Sequence, residues 1–344
     1  MSENPLVSIV IPHFNGIELL RDCLTSLSET SYPNFEIIVV DNASTDESIS
    51  MVKQEFNGVK ILQLSSNKGY AGGCNAGIRA SEESQYVVLF NNDATVEASW
   101  LTCLVDEMES DESVSACQPK ILSAKDKNLY DYSGAAGGLI DKYAYPFARG
   151  RIIATIESDE NQYDSETTLF WASGTACILR NSTLKEVGLL DEIFFAHMEE
   201  IDLCWRMQLR GDKIRYVPES RIYHHSGTTL GAETFKKKYL NHRNSILMMF
   251  KNYSLGNLLK LLPGRIIIDL MAMVYSLGVL DINRLNGLLA SYFWIIFHPF
   301  YILKERKKVQ EGRVVSDKVI MRNMYGGSIA LAYYLKGKKR VSEL

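Results

Sequence analysis

The first 110 residues alternate between short apolar runs and segments whose apolar residues recur at helical spacing. The runs "LVSIVIP", "FEIIVVD", "VKILQLS" and "QYVVLF" are rich in Ile and Val, which is typical of strands buried on both faces. Between the first two lies "IELLRDCLTSLSET", in which Leu20, Cys23, Leu24 and Leu27 share one helical face. A second helix is predicted through "SISMVKQEF". The pattern predicts a parallel sheet with helices on both sides.

The next stretch of the chain is less regular. A helix is predicted in "SWLTCLVDEMES", whereas residues from about Val114 to Thr168 are predicted to form sheet edge and loops. The glycine-rich "NKGYAGGCNAG" is predicted to be a loop that leads into a helix. Further on, "LFWASGTACILRNSTLKEVGLLDE" predicts a strand and a short helix. "HMEEIDLCWRMQLRGDKIRYVPESRIYHHSG" predicts a helix, a strand and an exit loop.

Charge divides the chain into an acidic part and a basic part. Residues 1–235 contain 18 Lys and Arg against 35 Asp and Glu, while residues 236–344 contain 19 against 6. We therefore predict a catalytic domain over 1–235 and a basic, aromatic-rich helical region over 236–344. Such a basic region favours contact with an anionic surface such as phospholipid, although the two parts could also neutralise each other within the molecule.

The C-terminal region is also strongly apolar. Residues 285–303 contain no Asp, Glu, Lys or Arg, which is enough length for a membrane-spanning helix. Asn286, His298 and Pro299 weaken that interpretation, and the many aromatic residues with a basic flank fit a helix lying at a membrane surface. Three alternatives stay open here: an interfacial helix, a buried helix and a spanning helix. A homodimer through these helices is also possible.

The six cysteines and the N-terminus indicate the compartment. The cysteines are dispersed without a CxxC pair, as expected of reduced thiols in the cytosol. The N-terminal residues lack a basic segment, and their apolar run is broken at Pro12, unlike a secretory signal. We therefore expect a cytoplasmic protein, peripheral at the inner face of the cell membrane.

Polar side chains follow two of the predicted strands at the point where each ends. Asp41 ends "IIVVD", and Asn91, Asn92 and Asp93 follow "VVLF". In an open α/β sheet, ligands bind at the carboxyl ends of the strands. A carboxylate flanked by amides suits Mg²⁺ or Mn²⁺ when a substrate diphosphate supplies further charge. A lone acidic residue at a strand end is otherwise usually a helix cap or a turn former.

Two further groups carry possible chemistry. His224 and His225 are predicted just past a strand, where an imidazole could complete a manganese-type site. Glu199 and Glu200 begin a predicted helix, a position that stabilises carboxylates even without catalysis. The sequence does not show which glutamate faces a cleft, as a general base must.

Together these segments resemble a known family. "VSIVIPHFNG", "IIVVDNASTDES", "NKGYAGGCNAG", "YVVLFNNDATV", "EEIDLCWRMQLRG" and "RIYHHSG", in this order, resemble family 2 glycosyltransferases of the GT-A fold. The resemblance covers about residues 6–230 and is greatest to the rhamnosyltransferase-like and galactofuranosyltransferase-like enzymes of bacterial surface polysaccharide assembly. It implies an α/β, Rossmann-like mixed sheet followed by a C-terminal helical region.

The resemblance also implies roles for particular residues. Glu200 falls on the catalytic base, and Glu199 on its partner, which supports the base and the acceptor. Asp93 and His224 fall on the metal ligands for Mn²⁺ or Mg²⁺. The remaining matched residues would bind the nucleotide sugar: Pro12, Phe14, Asn15, Asp41, Asn67, Lys68, Asn91, Asn92 and Asp93. Two positions depart from the family pattern, because Asn91 replaces the first carboxylate of its DXD motif and Glu200 replaces an aspartate.

The expected function is an inverting, metal-dependent glycosyltransferase for hexosyl or deoxyhexosyl transfer. It would use a UDP- or dTDP-sugar and a glycan or lipid-linked acceptor. A nucleotidyltransferase and a non-catalytic sugar-binding relative are the alternatives. "PHFNGIELL" lacks the glycine-rich basic loop that a triphosphate requires, and "GYAGGCNAG" does not match the GxGxxG of dinucleotide enzymes. An acidic catalytic part also argues against a nucleic-acid substrate.

Overall fold

The structure is a computed structural model and describes residues 4–165, 167–225 and 234–344. Its strands form one large and one small sheet. In chain order they are β1 (Val7–His13), β2 (Phe35–Asp41), β3 (Lys60–Gln63), β4 (Tyr86–Phe90), β5 (Ala94–Val96), β6 (Val114–Ser123), β7 (Gly138–Ile140), β8 (Pro146–Ala148), β9 (Arg151–Ile152), β10 (Thr155–Ile156), β11 (Thr167–Thr168), β12 (Ala176–Arg180) and β13 (Lys213–His224).

The helices fall into two groups, one interleaved with the strands and one after them. They are α1 (Ile17–Ser28), α2 (Ser48–Glu55), α3 (Gly69–Arg79), α4 (Trp100–Ser110), α5 (Asn181–Val187), α6 (Glu199–Arg210), α7 (Phe235–Asn252), α8 (Leu255–Gly278), α9 (Ile282–Phe297), α10 (Pro299–Glu311), α11 (Asp317–Ile320) and α12 (Ile329–Lys336). The helices of the second group, α7 to α12, form the C-terminal helical region.

The large sheet is mixed, as expected. Its strand order is β11-β13-β6-β12-β4-β1-β2-β3, and β5 pairs with β13. Strands β1 to β4 are joined in parallel, whereas β12 runs antiparallel to both β4 and β6. Side chains alternate along β1, so that Ile9 and Ile11 enter one apolar core and Val10 enters the core on the other face. Both faces are therefore covered, as the apolar runs predicted.

Two predicted segments differ in the structure. The glycine-rich "NKGYAGGCNAG" is not a loop before a helix, because α3 begins at Gly69 within it. The glycines let this helix lie against the sheet: a Cβ on Gly77 would be 2.2 Å from Val10 Cγ1, and one on Gly73 would be 2.9 Å from Pro12 Cβ. Glycine in a helix costs about 1 kcal/mol relative to alanine, so close packing explains these residues better than chain flexibility does.

The second difference lies in the stretch predicted to be sheet edge and loops. Residues 114–123 form β6, a ten-residue strand between β12 and β13. Its polar side chains are buried with distant partners: Lys120 lies 2.8 Å from Asp159, and Gln118 accepts the Ser173 N–H at 2.8 Å. Similarly, His224 is the last residue of β13 rather than a loop residue beyond it.

The C-terminal helices share a core with the catalytic sheet. Ile246 and Leu247 of α7, and Tyr253 directly after it, belong to the same apolar cluster as Val10 and Trp205. The predicted division between residues 235 and 236 thus does not mark a separate core, and it stays a prediction about domains.

The segment 285–303 is broken at His298. Helices α9 and α10 meet there with a bend of 77°. In the described part of the chain no single helix is long and apolar enough to cross a membrane, whereas this bent pair passes that test by length and composition.

Candidate active site

The carboxyl ends of β1, β2 and β4 meet at one edge of the large sheet. His13 at the end of β1 lies opposite Asp41 at the end of β2, and Asn91, Asn92 and Asp93 follow β4 directly. The sheet topology therefore brings together the strand-end residues that the sequence singled out, as the parallel arrangement predicted.

His13 is a buried support of this edge that the sequence analysis missed. Its Nε2 lies 2.9 Å from Ser48 Oγ, and its Nδ1 lies 2.8 Å from Asn92 Nδ2. Burial lowers the pKa of His13, although Asp46 and Asp41 oppose the shift, so the ring is neutral. Because the Asn92 amide nitrogen only donates, Nδ1 accepts and Nε2 carries the proton. The Asn92 side chain thus donates one hydrogen bond to His13, and its role in nucleotide-sugar binding stays a prediction.

The predicted nucleotide residues near β2 form a connected rim. Asp41 is buried and accepts the Ser44 N–H at 2.8 Å. Asn15 has a positive φ of 56° and accepts the Thr45 N–H at 2.8 Å, which ties the end of β1 to the loop after β2. Phe14 beside it is 42% exposed, as an aromatic ring available to a ligand would be.

Three other predicted nucleotide residues lie at α3. Pro12 is buried, and its Cβ is close to the backbone of Gly73. Asn67 and Lys68 are exposed just before the helix, where Asn67 Oδ1 accepts the Gly69 N–H at 2.8 Å. Asn67 and Lys68 can therefore reach a ligand at the rim, whereas Pro12 acts through the packing of α3.

Asp93 and His224 are in direct contact. Pairing of β5 with β13 places Ala94 opposite His224, and Asp93 Oδ1 lies 3.0 Å from His224 Nε2. Asn91 Nδ2 lies 3.2 Å from the same nitrogen. On the other side of the ring, His224 Nδ1 lies 2.9 Å from Oδ1 of the buried Asp131. Asp131 was not predicted, because it lies in the irregular stretch after β6.

The Asp93, His224 and Asp131 arrangement fits a divalent cation. Among the residues that the structure describes, no group of three or more His, Cys, Asp or Glu could hold a metal ion alone. Asp93 and His224 could supply two ligands, and Asp131 would orient the imidazole through Nδ1 and leave Nε2 as the ligand atom, as is usual for a metal-binding histidine. Burial alone would lower the pKa of His224, but the hydrogen bonds that its ring donates to Asp131 and Asp93 raise the pKa to about 9. An ion at Nε2 would take the place of that proton.

Glu199 and Glu200 are distinguished by their surroundings. Glu199 is 3% exposed, and burial together with the Glu200 charge raises its pKa well above the usual range, so it is protonated at neutral pH. Glu200 is partly exposed. Burial raises the pKa of Glu200 to about 7, while backbone N–H groups, including that of Gly174, counter the shift. Glu200 is therefore the residue able to exchange a proton near neutral pH.

The loop before Glu199 is strained. Phe195, His197 and Met198 all have positive φ values, of 62°, 69° and 73°. Around Phe195 the Ala196 N–H donates to the Phe194 carbonyl at 2.7 Å, which forms the rare γ-turn with positive φ. Such strain persists only where surrounding structure enforces it, and it is concentrated at functional sites.

Helix α7 holds this loop in place. Asn244 Nδ2 lies 3.1, 3.1 and 2.7 Å from the carbonyl oxygens of Phe194, Ala196 and His197. Arg243 on the same helix donates to the Phe194 carbonyl at 3.2 Å. Both α7 residues are buried. The C-terminal helical region thus fixes the loop that leads into α6, where Glu199 and Glu200 are the first two residues.

Buried charges add a second connection between α6 and α7. Asp202 Oδ2 lies 2.9 Å from Arg206 Nε and 3.0 Å from Lys251 Nζ, and Asp202 Oδ1 accepts from Asn252 at 2.9 Å. Lys251 also lies 2.7 Å from Asp191. Since removing one member of a buried ion pair leaves an uncompensated charge, this network stabilises the orientation of α6.

The mixed α/β sheet, with polar side chains at the carboxyl ends of its strands and helices after it, has the architecture of the GT-A class. Comparison with known proteins identifies the family. The sequence pattern of "Glycosyl transferase family 2" matches residues 8–187, more than half of the 344 residues. The chain belongs to glycosyl transferase family 2 and is rhamnosyltransferase-like, as the resemblance implied.

Individual relatives agree with that assignment. N-acetylglucosaminyl-diphospho-decaprenol L-rhamnosyltransferase of Mycobacterium tuberculosis is 24% identical over 68% of this chain and 81% of its own length. O-antigen biosynthesis protein RfbC of Myxococcus xanthus is 28% identical over 67% of this chain and 18% of its own length. GalNAc-T7, solved with UDP, GalNAc and Mn²⁺, aligns with a TM-score of 0.55 at 15% identity, over 73% of this chain and 48% of that chain, which supports the fold. The protein is therefore a glycosyltransferase of polysaccharide or glycan synthesis.

Proposed function

We propose that the protein is an inverting, metal-dependent glycosyltransferase that moves a hexose or deoxyhexose from a UDP- or dTDP-sugar to a hydroxyl group of a glycan or lipid-linked acceptor in surface polysaccharide synthesis. The observation that carries this proposal is Glu200, a partly exposed residue at the start of α6 whose pKa is raised to about 7. A base with such a pKa can accept a hydroxyl proton near neutral pH.

The reaction would proceed by one displacement. The acceptor oxygen attacks the anomeric carbon from the side opposite the diphosphate, and Glu200 takes the proton of that hydroxyl. The bond between the anomeric carbon and the phosphate oxygen breaks, which releases the nucleoside diphosphate with its electron pair. Asp93 and His224 would hold Mn²⁺ or Mg²⁺, which stabilises negative charge on the leaving diphosphate. Asp131 would keep His224 oriented for that role.

Asp41 at the rim of the sheet edge supports the proposed donor nucleotide. Asp41 has one oxygen bonded to the Ser44 N–H at 2.8 Å, and the other has only a 3.3 Å contact with the exposed Gln63. That second oxygen could accept the ring N–H of uracil or thymine, which is why we propose either a UDP- or a dTDP-sugar. The UDP in the GalNAc-T7 structure supports a donor of this class.

The C-terminal helices suggest where the acceptor is found. Arg265 and Asp269 of α8 are buried, and no further charged residue follows until Asp281. The outer face of this part of α8 is apolar, with Ile267, Leu270, Val274 and other large side chains exposed. The exposed apolar side chains on the helices that follow are Leu280, Ile282, Leu289, Phe293, Ile296, Phe297, Phe300 and Leu303. With Lys304 and Lys307 beside them, these residues would suit an anionic membrane surface. We therefore propose peripheral attachment at the inner face of the cell membrane, and the diphospho-decaprenol acceptor of the relative supports a lipid-linked acceptor.

The test of activity is a panel of nucleotide sugars with candidate acceptors, read as release of nucleoside diphosphate. We expect release with Mn²⁺ or Mg²⁺, strong loss on chelation, and loss in Glu200→Gln. No release from any donor, or undiminished release in Glu200→Gln, would contradict the proposed function. Pyrophosphate release from a nucleoside triphosphate and a sugar phosphate would instead indicate a nucleotidyltransferase.

Membrane attachment needs a separate test. Sedimentation with anionic phospholipid vesicles should capture the protein, and Leu280→Asp with Phe300→Asp should reduce capture because both side chains are highly exposed, at 79% and 87%. A soluble dimer with no vesicle binding would assign the apolar face to a second copy of the chain.

A further inference from the structure

The first turn of α7 carries an unusual concentration of positive charge. Lys236, Lys237 and Lys238 follow Thr234, whose side chain caps the helix. Lysines at this end oppose the helix dipole, so helix stability does not account for them. Lys238 is neutralised by Asp281, with Nζ 2.6 Å from Oδ2. Across the described ranges, Lys236 and Lys237 have no carboxylate within ion-pair distance, so their charge is available to an external anion.

One side of this lysine pair borders the catalytic loop. Lys236 Nζ lies 4.0 Å from the centre of the Phe195 ring. His197, two residues further along the loop, has a buried Nε2 with no hydrogen-bond partner in the part of the chain that the structure describes. Burial lowers the pKa of His197 to about 4, and the positive charge of Lys237 adds to that shift. The neutral imidazole of His197 and the amines of Lys236 and Lys237 therefore lie beside the loop that leads to Glu199 and Glu200.

The other side of the lysine pair borders the apolar turn between α8 and α9. The ion pair of Lys238 with Asp281 joins the start of α7 to this turn, and a Cβ on Gly287 of α9 would lie 3.0 Å from the Tyr239 nitrogen. At the turn, Val279, Leu280 and Ile282 are 52%, 79% and 50% exposed. The positive charges of Lys236 and Lys237 thus lie between the loop that leads to Glu200 and the exposed apolar corner formed by residues 279–282.

We propose that Lys236 and Lys237, assisted by His197, bind the diphosphate of a lipid-diphosphate-linked acceptor sugar. This inference rests on the proposed function. The acceptor sugar would lie at Glu200, the diphosphate at the two amines, and the start of the lipid chain at the corner formed by residues 279–282. Hydrogen bonds between amines and phosphate oxygens are of the strong, charge-assisted kind. The arrangement follows the order of sugar, diphosphate and lipid in such an acceptor.

The same chemistry could serve the diphosphate of the donor. The proposed place for that group is at Asp93, which follows β4, and His224, which ends β13, whereas Lys236 and Lys237 border the loop before α6. A second diphosphate, that of the acceptor, therefore explains Lys236 and Lys237 better than the donor does. The experiment must measure binding of both a lipid diphosphate and a nucleoside diphosphate.

Calorimetric titration of the full chain with farnesyl diphosphate, farnesol and UDP with Mn²⁺ separates these possibilities. We expect the wild-type protein to bind farnesyl diphosphate at least tenfold more tightly than farnesol. Lys236→Gln with Lys237→Gln should weaken farnesyl diphosphate binding at least tenfold, while the affinity for UDP changes less than twofold. Lys236→Arg with Lys237→Arg should retain binding.

The matched control is Lys336→Gln with Lys339→Gln, which removes the same charge from exposed positions elsewhere in the C-terminal region. An equal loss of farnesyl diphosphate binding in this control would show a general charge effect and overturn the proposal. So would no binding by the wild-type protein, unchanged binding in the Lys236 and Lys237 variant, or a loss of UDP affinity instead. Because binding is measured without turnover, a failure of the proposed transferase activity would be seen separately, as absence of nucleoside diphosphate release.

Discussion

Replacing Asn244 with alanine tests whether α7 positions the catalytic glutamates. The side-chain nitrogen has two hydrogens for three nearby carbonyl oxygens, so it makes two full hydrogen bonds at a time. At about 1 kcal/mol net for each bond, the substitution removes about 2 kcal/mol from the loop. Asn244 is fully buried, so water does not replace these bonds in the native protein.

The backbone strain in the loop costs more free energy than the Asn244 hydrogen bonds contribute. Phe195, His197 and Met198 have positive φ values, and each such residue costs about 1–3 kcal/mol, which gives about 3–9 kcal/mol for the three. Without Asn244 the loop should therefore relax toward ordinary backbone angles and displace the start of α6. A displacement of about 1 Å at a catalytic group can cost about 100-fold in rate. We expect kcat to fall between tenfold and 100-fold, with a loss of only about 2 kcal/mol in the free energy of unfolding.

The assay pairs denaturant unfolding with steady-state release of nucleoside diphosphate and with UDP binding. Ser245→Ala is the matched control, because Ser245 is buried beside Asn244 and donates to the Ala144 carbonyl at 2.6 Å without touching the loop. The control should lose stability and keep kcat. If Asn244→Ala loses stability to the same extent but keeps kcat, the helix supports the fold alone and the positioning role is refuted.

Three other substitutions test separate parts of the site and the fold. Asp131→Asn should weaken Mn²⁺ binding about 10- to 100-fold, measured by metal titration, because the metal-binding imidazole loses its orienting carboxylate. Glu199→Gln should leave the rise of kcat/KM with pH centred near 7, because Glu199 is already protonated while Glu200 must lose its proton to act as a base. Gly77→Ala should destabilise the protein by about 1–3 kcal/mol in denaturant unfolding, because the added methyl group meets Val10.

Each of these expectations has a control and an outcome that contradicts it. Asp126→Asn removes an exposed carboxylate and should leave Mn²⁺ affinity unchanged; an equal effect would deny Asp131 its specific role. A shift of the pH limb toward acid in Glu199→Gln would mean that Glu199 is charged in the native protein. Gly256→Ala adds a methyl group in open space within α8 and should not destabilise, so similar losses at both glycines would exclude close packing as the cause.

The elements that the sequence predicted correctly are those whose signal is local. The alternation in β1 and the helical spacing in α1 lie within a dozen residues, so both elements could be read directly. Strand β6 could not, because Gln118 and Lys120 interrupt its apolar pattern and find their partners 55 and 39 residues away. Polar residues in a buried strand are recognisable only when those partners are known.

The site shows the same division. The predicted strand ends placed Asp41 and Asp93 at the sheet edge. In the structure, the pairing of β5 with β13 brings His224 into contact with Asp93. Asp131 and Asn244 were missed because each acts through another residue, 93 positions away for Asp131 and 50 for the contact of Asn244 with the Phe194 carbonyl. Residues that position a catalytic group leave no pattern of their own in one sequence.

The structure also bears on the opposite charges of the two parts of the chain. Neutralisation across an internal interface would require many ion pairs between them. In residues 4–165, 167–225 and 234–344, the ion pairs that cross between the parts are those of Lys251 with Asp191 and Asp202. Other pairs of the C-terminal region, such as that of Lys238 with Asp281, are internal to it. Among the described residues, direct ion pairing between the two parts thus involves Lys251, and contact of the other positive charges with an anionic partner stays a prediction.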